Sequence, residues 1–405
     1  MAEEKKVHNT PVETESPVPS TSPPPGLLDI FLAFLRLGAV SFGGPAMVAY
    51  IKKLAVTRKK WISEDDFQQG VALCQAVPGA TAMQCAAYVG LRARRLGGAV
   101  AAYVGFGLPA FLLMLALSVA YKRTLDVHAV TSALTGLRVL VVAMVANAAW
   151  TFGRKAITGI REGAVATVAA AAFFFGGNPF LIVVGAGLAG AIVLRGARSK
   201  APEITTPRLG WNALRAPAIV LALAVVLVAV LLVLDRRLAG LGLTMMKVDV
   251  FAFGGGFASI PLMFREVVDV HGWLPANVFM DGIALGQITP GPIVITATFV
   301  GYQVSGIAGA LVGTAGIFLP SLFAVVLVEP WFRRLRSSPI FQGVTRGLVL
   351  SFVGLLASVT VHFALVAPWS VPSSIIAGAA LVALLLKVDV LWVVLAGAAI
   401  SAVVL

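Results

Sequence analysis

Shifted along itself by 212 residues, the chain repeats. Trp61 falls on Trp273, Phe67 on Phe279, Gly70 on Gly282, Ala72 on Ala284, Leu73 on Leu285, Gln75 on Gln287, Pro78 on Pro290 and Gly79 on Gly291, eight identities in 19 positions. After a one-residue slip the match continues at 211: Val89 with Val300, Gly90 with Gly301, Gly98 with Gly309, Gly105 with Gly316, Leu108 with Leu319 and Pro109 with Pro320. Upstream, Phe42-Gly43-Gly44 meets Phe253-Gly254-Gly255. A chain made of two copies of one unit folds as two like modules packed together, and this sets the architecture before any motif is weighed.

The repeated unit is a membrane unit. Apolar residues make up 59% of the chain and charged residues 12%, against roughly a quarter charged in an ordinary soluble domain. They fall in blocks of about 16 to 25, each long enough to cross a hydrocarbon core roughly 30 Å thick. Thirteen candidate segments group as six, one and six. The expected fold is an all-α polytopic membrane protein of two homologous repeats with discontinuous helices. With six crossings per copy and Arg215 to Leu234 as a linking helix, the repeats are inverted. Were 27–56 and 244–264 hairpins that turn back, the same linker would make them parallel. The expected boundaries are a disordered tail over 1–26, a first repeat over 27–195, a basic loop and linking helix over 196–238, and a second repeat over 239–405. The tail is rich in Pro, Ser, Thr and Glu and is polar where a signal peptide needs an apolar stretch.

Thirty-one Lys and Arg against 18 Asp and Glu leave a net charge of +13. A nucleic-acid binder gathers such charge on one soluble face. Here it lies in twos to fives between apolar blocks, as expected of cytoplasmic loops. Cys74 and Cys85 fall in one apolar block and give neither a disulfide framework nor a metal spacing. No Gly-rich nucleotide loop follows a soluble strand, and no Ser/His/Asp set stands out. No cofactor, no metal, no nucleic-acid partner and no enzymatic activity are therefore expected. The partners are the lipid bilayer and an anionic cargo. The oligomeric state stays open, a homodimer included.

Two motifs recur in both halves. One is the glycine cluster, Ser41-Phe42-Gly43-Gly44-Pro45 and Phe253-Gly254-Gly255-Gly256; the other is Gln75-Ala-Val-Pro78-Gly79 and Gln287-Ile-Thr-Pro290-Gly291-Pro292. A Pro-Gly pair at membrane depth frees backbone N–H and C=O groups, tolerable only where they are buried in protein or line a wet cavity. A helix restarting after such a break presents unpaired N–H groups and the positive end of its dipole, an anion site. Small-residue packing and a plain kink would account for one such pair; recurrence in both halves favours a pathway.

Arg36 precedes the first glycine cluster, Lys247 matches it at offset 211, and Arg138 and Arg346 lie inside later apolar blocks. Arginine offers a planar fork of donors suited to an oxyanion, although such residues also snorkel to interfaces. Asp281 reads as a helix cap more readily than as a proton relay, and Asp29, Asp249 and Asp389 share that reading. His362 reads as a packed bundle residue.

On these motifs, with Cys74 preceding Gln75 and Trp61 and Phe67 upstream, the chain resembles the long-chain form of the chromate transporter family of bacterial inner-membrane proteins. The match runs over 27–400. The family's first-half motif usually reads Pro-Gly-Pro; Ala80 stands where the second proline belongs, while the second half keeps Pro292. The resemblance implies halves of opposite orientation and a multi-pass inner-membrane protein. It also implies a secondary transporter that exports chromate, a tetrahedral dianion, and confers chromate resistance. Sulfate or another oxyanion is the alternative cargo, and an intramembrane enzyme the alternative class.

Overall fold

The computed structural model describes residues 25–42, 44–124, 126–194 and 211–405. Residues 1–24 of the expected tail, Gly43 of the first glycine cluster, and 195–210 of the expected basic loop lie outside the described residues. Among the described residues the chain is helical and contains no strand.

Helix α1 (Leu27–Val40) runs to the first glycine cluster; α2 (Gly44–Lys52) leaves it and continues as a π-helical turn, Lys53–Arg58. Helix α3 (Glu64–Ala76) opens on Ser63, whose Oγ accepts the Asp66 N–H at 3.1 Å, and its first turn carries three acids that suit the helix dipole. Pro78-Gly79 ends it. The following helix, α4 (Thr81–Thr124), leaves helical geometry at Arg94 and Arg95 (φ −150° and 51°) and so divides into arms over 81–93 and 96–124.

The sequence reads 68–90 as a single crossing; the structure folds it back on itself. Gly70 lies against the Tyr88 ring so closely that a Cβ would sit 2.2 Å from it. Asp66, at the start of α3, meets Arg92 at 2.8 Å. A helix rising 1.5 Å per residue would hold these partners tens of ångströms apart, so the chain reverses at the break. Gly79 makes the reversal with φ of +114°, a conformation open to glycine at no steric cost.

Helices α5 (His128–Ala156), α6 (Ile160–Phe174), α7 (Pro179–Val193) and α8 (Trp211–Leu234) lead to the second copy. There α9 (Arg236–Val250), α10 (Gly256–Phe264) with its π-helical turn Arg265–Val270, and α11 (Ala276–Ile288) repeat the first three helices. Helix α12 (Thr296–Val328) repeats α4, with the same turn at Ser305 and Gly306 (φ −145° and 61°) and the same reversal, Gly282 against the Phe299 ring. The short α13 (Phe332–Arg336) precedes α14 (Pro339–Val366), α15 (Val371–Leu385) and α16 (Val390–Val404). Among the described residues, four helical stretches are long and apolar enough to span a membrane: Thr81–Thr124, His128–Ala156, Ile293–Trp331 and Pro339–Val366. Helices α6, α7, α15 and α16 are 15 residues each, roughly 22 Å at the helical rise.

Small residues bring the helices together. A Cβ on Gly190 of α7 would sit 2.2 Å from the Gly343 carbonyl of α14, and one on Gly354 would sit 2.7 Å from that of Ala166 on α6. In lipid, where apolar surface gains nothing from leaving water, such close backbone approach is what holds helices in contact.

Candidate functional site

The breaks bind the copies to each other. Gly79 donates its N–H to the Ala252 carbonyl at 3.0 Å, and Gly291 donates its own to Ser41 at 2.8 Å. Each Pro-Gly break is therefore seated on the end of the other repeat's first helix, beside the glycine cluster. Ala80 N–H donates to Ser321 Oγ at 3.3 Å, and Ser321 donates to Asp249 Oδ2 at 2.7 Å. Gln84 Nε2 donates to the Pro78 carbonyl. This corrects the expectation of free amides: these three N–H groups hold repeat to repeat and are not available to an anion. Gly44 and Pro45 form the first turn of α2, where a proline's missing N–H is harmless. Gly254 and Gly255, with φ of +109° and +90°, turn the chain between α9 and α10. Pro290 and Pro292 flank Gly291, itself at φ +106°, ahead of a 3-10 turn, Ile293–Ile295.

A polar cleft lies beside the first break. Gln75 on the last turn of α3, Thr345 and Arg346 on α14, Lys155 at the end of α5, Thr158 and Glu162 line a cleft of about 390 Å³, over ten times a water's share of about 30 Å³. Gln75 and Arg346 are exposed to it. A guanidinium fork, an ammonium, an amide and the Thr158 hydroxyl against one carboxylate make a donor set suited to an oxyanion, while the Thr345 hydroxyl donates to the Phe341 and Gln342 carbonyls of its own helix at 3.0 Å.

The equivalent place in the other copy is closed. By the repeat offsets Gln75 corresponds to Gln287, Val349 to Arg138 and Arg346 to Thr135. Gln287 is partly buried, with its Nε2 lacking a hydrogen-bond partner. Arg138 Nε donates to Asp281 Oδ1 at 2.7 Å and Nη2 to Oδ2 at 2.8 Å, while Tyr121 OH donates to Oδ2 at 2.8 Å. The Asp281 side chain is fully buried and that of Arg138 is 20% exposed. Asp281 is not a helix cap: α11 starts at Ala276 after Pro275, and Asp281 sits within the helix. The sequence flags Arg138 and Asp281 separately, but neither their pairing nor Tyr121.

Arg36 stands apart from the Arg346 cleft, lining a separate basic cleft with Asp29, Tyr50, Lys53, Arg58 and Lys59. Its counterpart Lys247 pairs with Glu266 at 3.0 Å. Asp389 caps α16, accepting the Leu391 N–H at 2.9 Å, and the His362 ring packs at 5.1 Å from that of Phe264. Lys155, Thr158, Glu162, Thr345 and Tyr121 went unread in the sequence. One signal does exist for the clefts: laid over each other, α5 and α14 each carry an arginine within the apolar run, a single turn apart, at 138 and 346, besides Arg154 in the last turn of α5.

A duplicated bundle whose broken helices meet at the interface of the copies, with a polar cleft at one break, is the architecture of membrane transporters. The chromate transporter family model matches residues 28–191 and again 239–402. The chain is 41% identical to an uncharacterized transporter of Methanocaldococcus jannaschii, over 92% of each chain. It is 32% identical to a chromate transport protein of Pseudomonas aeruginosa, over 89% of this chain and 86% of that one. It is 30% identical to a chromate transport protein of Cupriavidus metallidurans, over 91% and 90%. No solved structure matches. The chain belongs to the chromate transporter family.

Proposed function

We propose that the protein is a secondary transporter that exports chromate across the cell's inner membrane and so confers chromate resistance. The observation that carries the reading is the cleft at the first break, where Arg346, Lys155 and Gln75 converge. Two chromate transport proteins among the relatives support the cargo.

The copies are of opposite orientation in this reading. Arg92, at the base of the first hairpin, pairs at 3.3 Å with Glu329 at the far end of α12, whereas Lys122, at the far end of α4, sits 5.2 Å from the Tyr302 ring at the base of the second hairpin. Parallel copies would bring base to base. Lys52, Lys53, Arg58, Lys59, Lys60, Arg92, Arg94, Arg95, Arg154 and Lys155 share the first hairpin's end; Lys122, Arg123, Arg236, Arg237 and Arg265 share the other. The positive-inside rule then places the first end, with the Arg346 cleft, in the cytosol. Moving a dianion out of an inside-negative cell releases about 4.6 kcal/mol at 100 mV, enough for roughly three decades of gradient. Voltage alone can drive export.

Inside-out vesicles bearing the protein should take up chromate when an inside-positive potential is imposed, and Arg346→Gln should cut that uptake about tenfold or more without lowering membrane abundance. Uptake no greater than in vesicles lacking the protein would overturn the reading. Sulfate is the second reading, because identity is higher to a transporter whose name gives no cargo than to the chromate proteins. Competition by sulfate in the same vesicles decides between them.

A further inference from the structure

The repeat offsets carry the open Arg346 cleft onto a closed one in the other copy, and the closed one is filled by the protein's own carboxylate. Gln75 and Val349 line the first; Gln287 and Arg138 are their counterparts. In the open cleft Arg346 is exposed with its donors free to meet a ligand. In the closed one Arg138 offers two parallel N–H donors to Asp281 at 2.7 and 2.8 Å, and Tyr121 adds an O–H at 2.8 Å. Three donors thus converge on two oxygens that share one negative charge, the arrangement that also binds one edge of a tetrahedral oxyanion.

We propose that Arg138 and Tyr121 form a second oxyanion subsite, which the Asp281 carboxylate fills while this cleft is closed and yields to the cargo when it opens. The inference rests on the transport reading above. Asp281 is an internal counter-anion. It keeps Arg138 from standing uncompensated at membrane depth, where a lone charge is costly. It also keeps α11 drawn against α5 and α4, so that Gln287 stays covered. A dianion arriving from the Gln75 side offers Arg138 more charge than the carboxylate does, and the exchange of one anion for the other lets α11 move. The second copy's Gln287, with an Nε2 lacking any partner in the closed arrangement, is then a donor awaiting the same ligand.

Labelled sulfate binding to the purified full chain tests this. Wild type should bind, and Arg346→Gln should bind about tenfold more weakly. Adding Asp281→Asn to Arg346→Gln removes the competing negative charge from the second subsite and should restore binding, which Tyr121→Phe should weaken again and Arg138→Gln abolish. A folded Arg346→Gln/Asp281→Asn protein that binds no better than Arg346→Gln overturns the proposal. A thermal melt establishes that each variant is folded.

If the Asp281 variant does not fold, a Gln287→Cys protein with Asp281 intact gives the answer. An impermeant maleimide, applied from the Lys122 end, should label it several times faster with saturating sulfate than without. Labelling that sulfate leaves unchanged overturns the proposal. A wild type that binds neither sulfate nor chromate defeats the transport reading instead, so the two failures are distinguishable.

Discussion

At the scale of single residues, Gly79 and Ser321 show how tightly the first break is specified. Gly79 holds φ of +114°, and a Cβ there would lie 1.8 Å from Ser321 Oγ. Gly79→Ala therefore strains the backbone and expels the hydroxyl that links Ala80 N–H to Asp249. The expected loss exceeds about 1 kcal/mol, read as a lower melting temperature in detergent. Ser321→Ala adds no bulk but leaves the Asp249 carboxyl, already without a partner on Oδ1, and the Ala80 N–H unpaired. It should cost about 1–3 kcal/mol, while Ser321→Thr, which keeps the hydroxyl, should cost less; equal melting of Ser321→Ala and wild type would show the hydroxyl to be idle. The sequence marked Gly79 because it recurs at Gly291, but Ser321 faces Gly79 from the other copy, and its own counterpart is Ala110. No periodicity or motif betrays a contact made across 241 residues. Asp281 was misread for a related reason: a cap and a buried ion pair look alike until the start of the helix is located.

At the scale of elements, the hairpins depend on turns that the sequence only half discloses. Pro-Gly announces that a membrane helix is broken, but a broken helix either continues across the bilayer or turns back. What settles it is packing: Gly70 under Tyr88, Gly282 under Phe299 and, at the outer turns, Gly90 against Gly98 and Gly301 against Gly309. A Cβ on Gly90 would stand 2.1 Å from the Gly98 carbonyl, and one on Gly301 at the same distance from that of Gly309. Both are backbone contacts with no flexible side chain to yield. Gly301→Leu should therefore pry the arms of α12 apart, at about 1–3 kcal/mol or more, with abundance in the membrane falling in step. Gly378, against which nothing lies within 4 Å, is the control: Gly378→Ala should leave abundance unchanged.

At the scale of the whole molecule, the duplication and the membrane class were legible from repeat offsets and hydropathy. The parity of the crossings was not, because it depends on which segments turn back. The sequence reading counted 68–90 and 281–302 as crossings, yet each is folded on itself. Taking α1 with α2 and α3 with the first arm of α4 as hairpins leaves five crossings between the first copy's hairpins and the second's: residues 96–124, then α5, α6, α7 and α8. On the proposed reading, in which each of these five crosses, the odd number puts the two sets on opposite faces. Thr57 and Asp269 test this directly, since they are equivalent positions on the two π-helical turns and both are exposed. The native thiols, Cys74 and Cys85, are buried, so an impermeant maleimide reads single introduced cysteines at these positions. In intact cells stripped of their outer layers Asp269→Cys should react and Thr57→Cys should not; inside-out vesicles should reverse the pattern. Reaction of both from one face would make the copies parallel and would detach the Arg346 cleft from its proposed role as the cytosolic entrance.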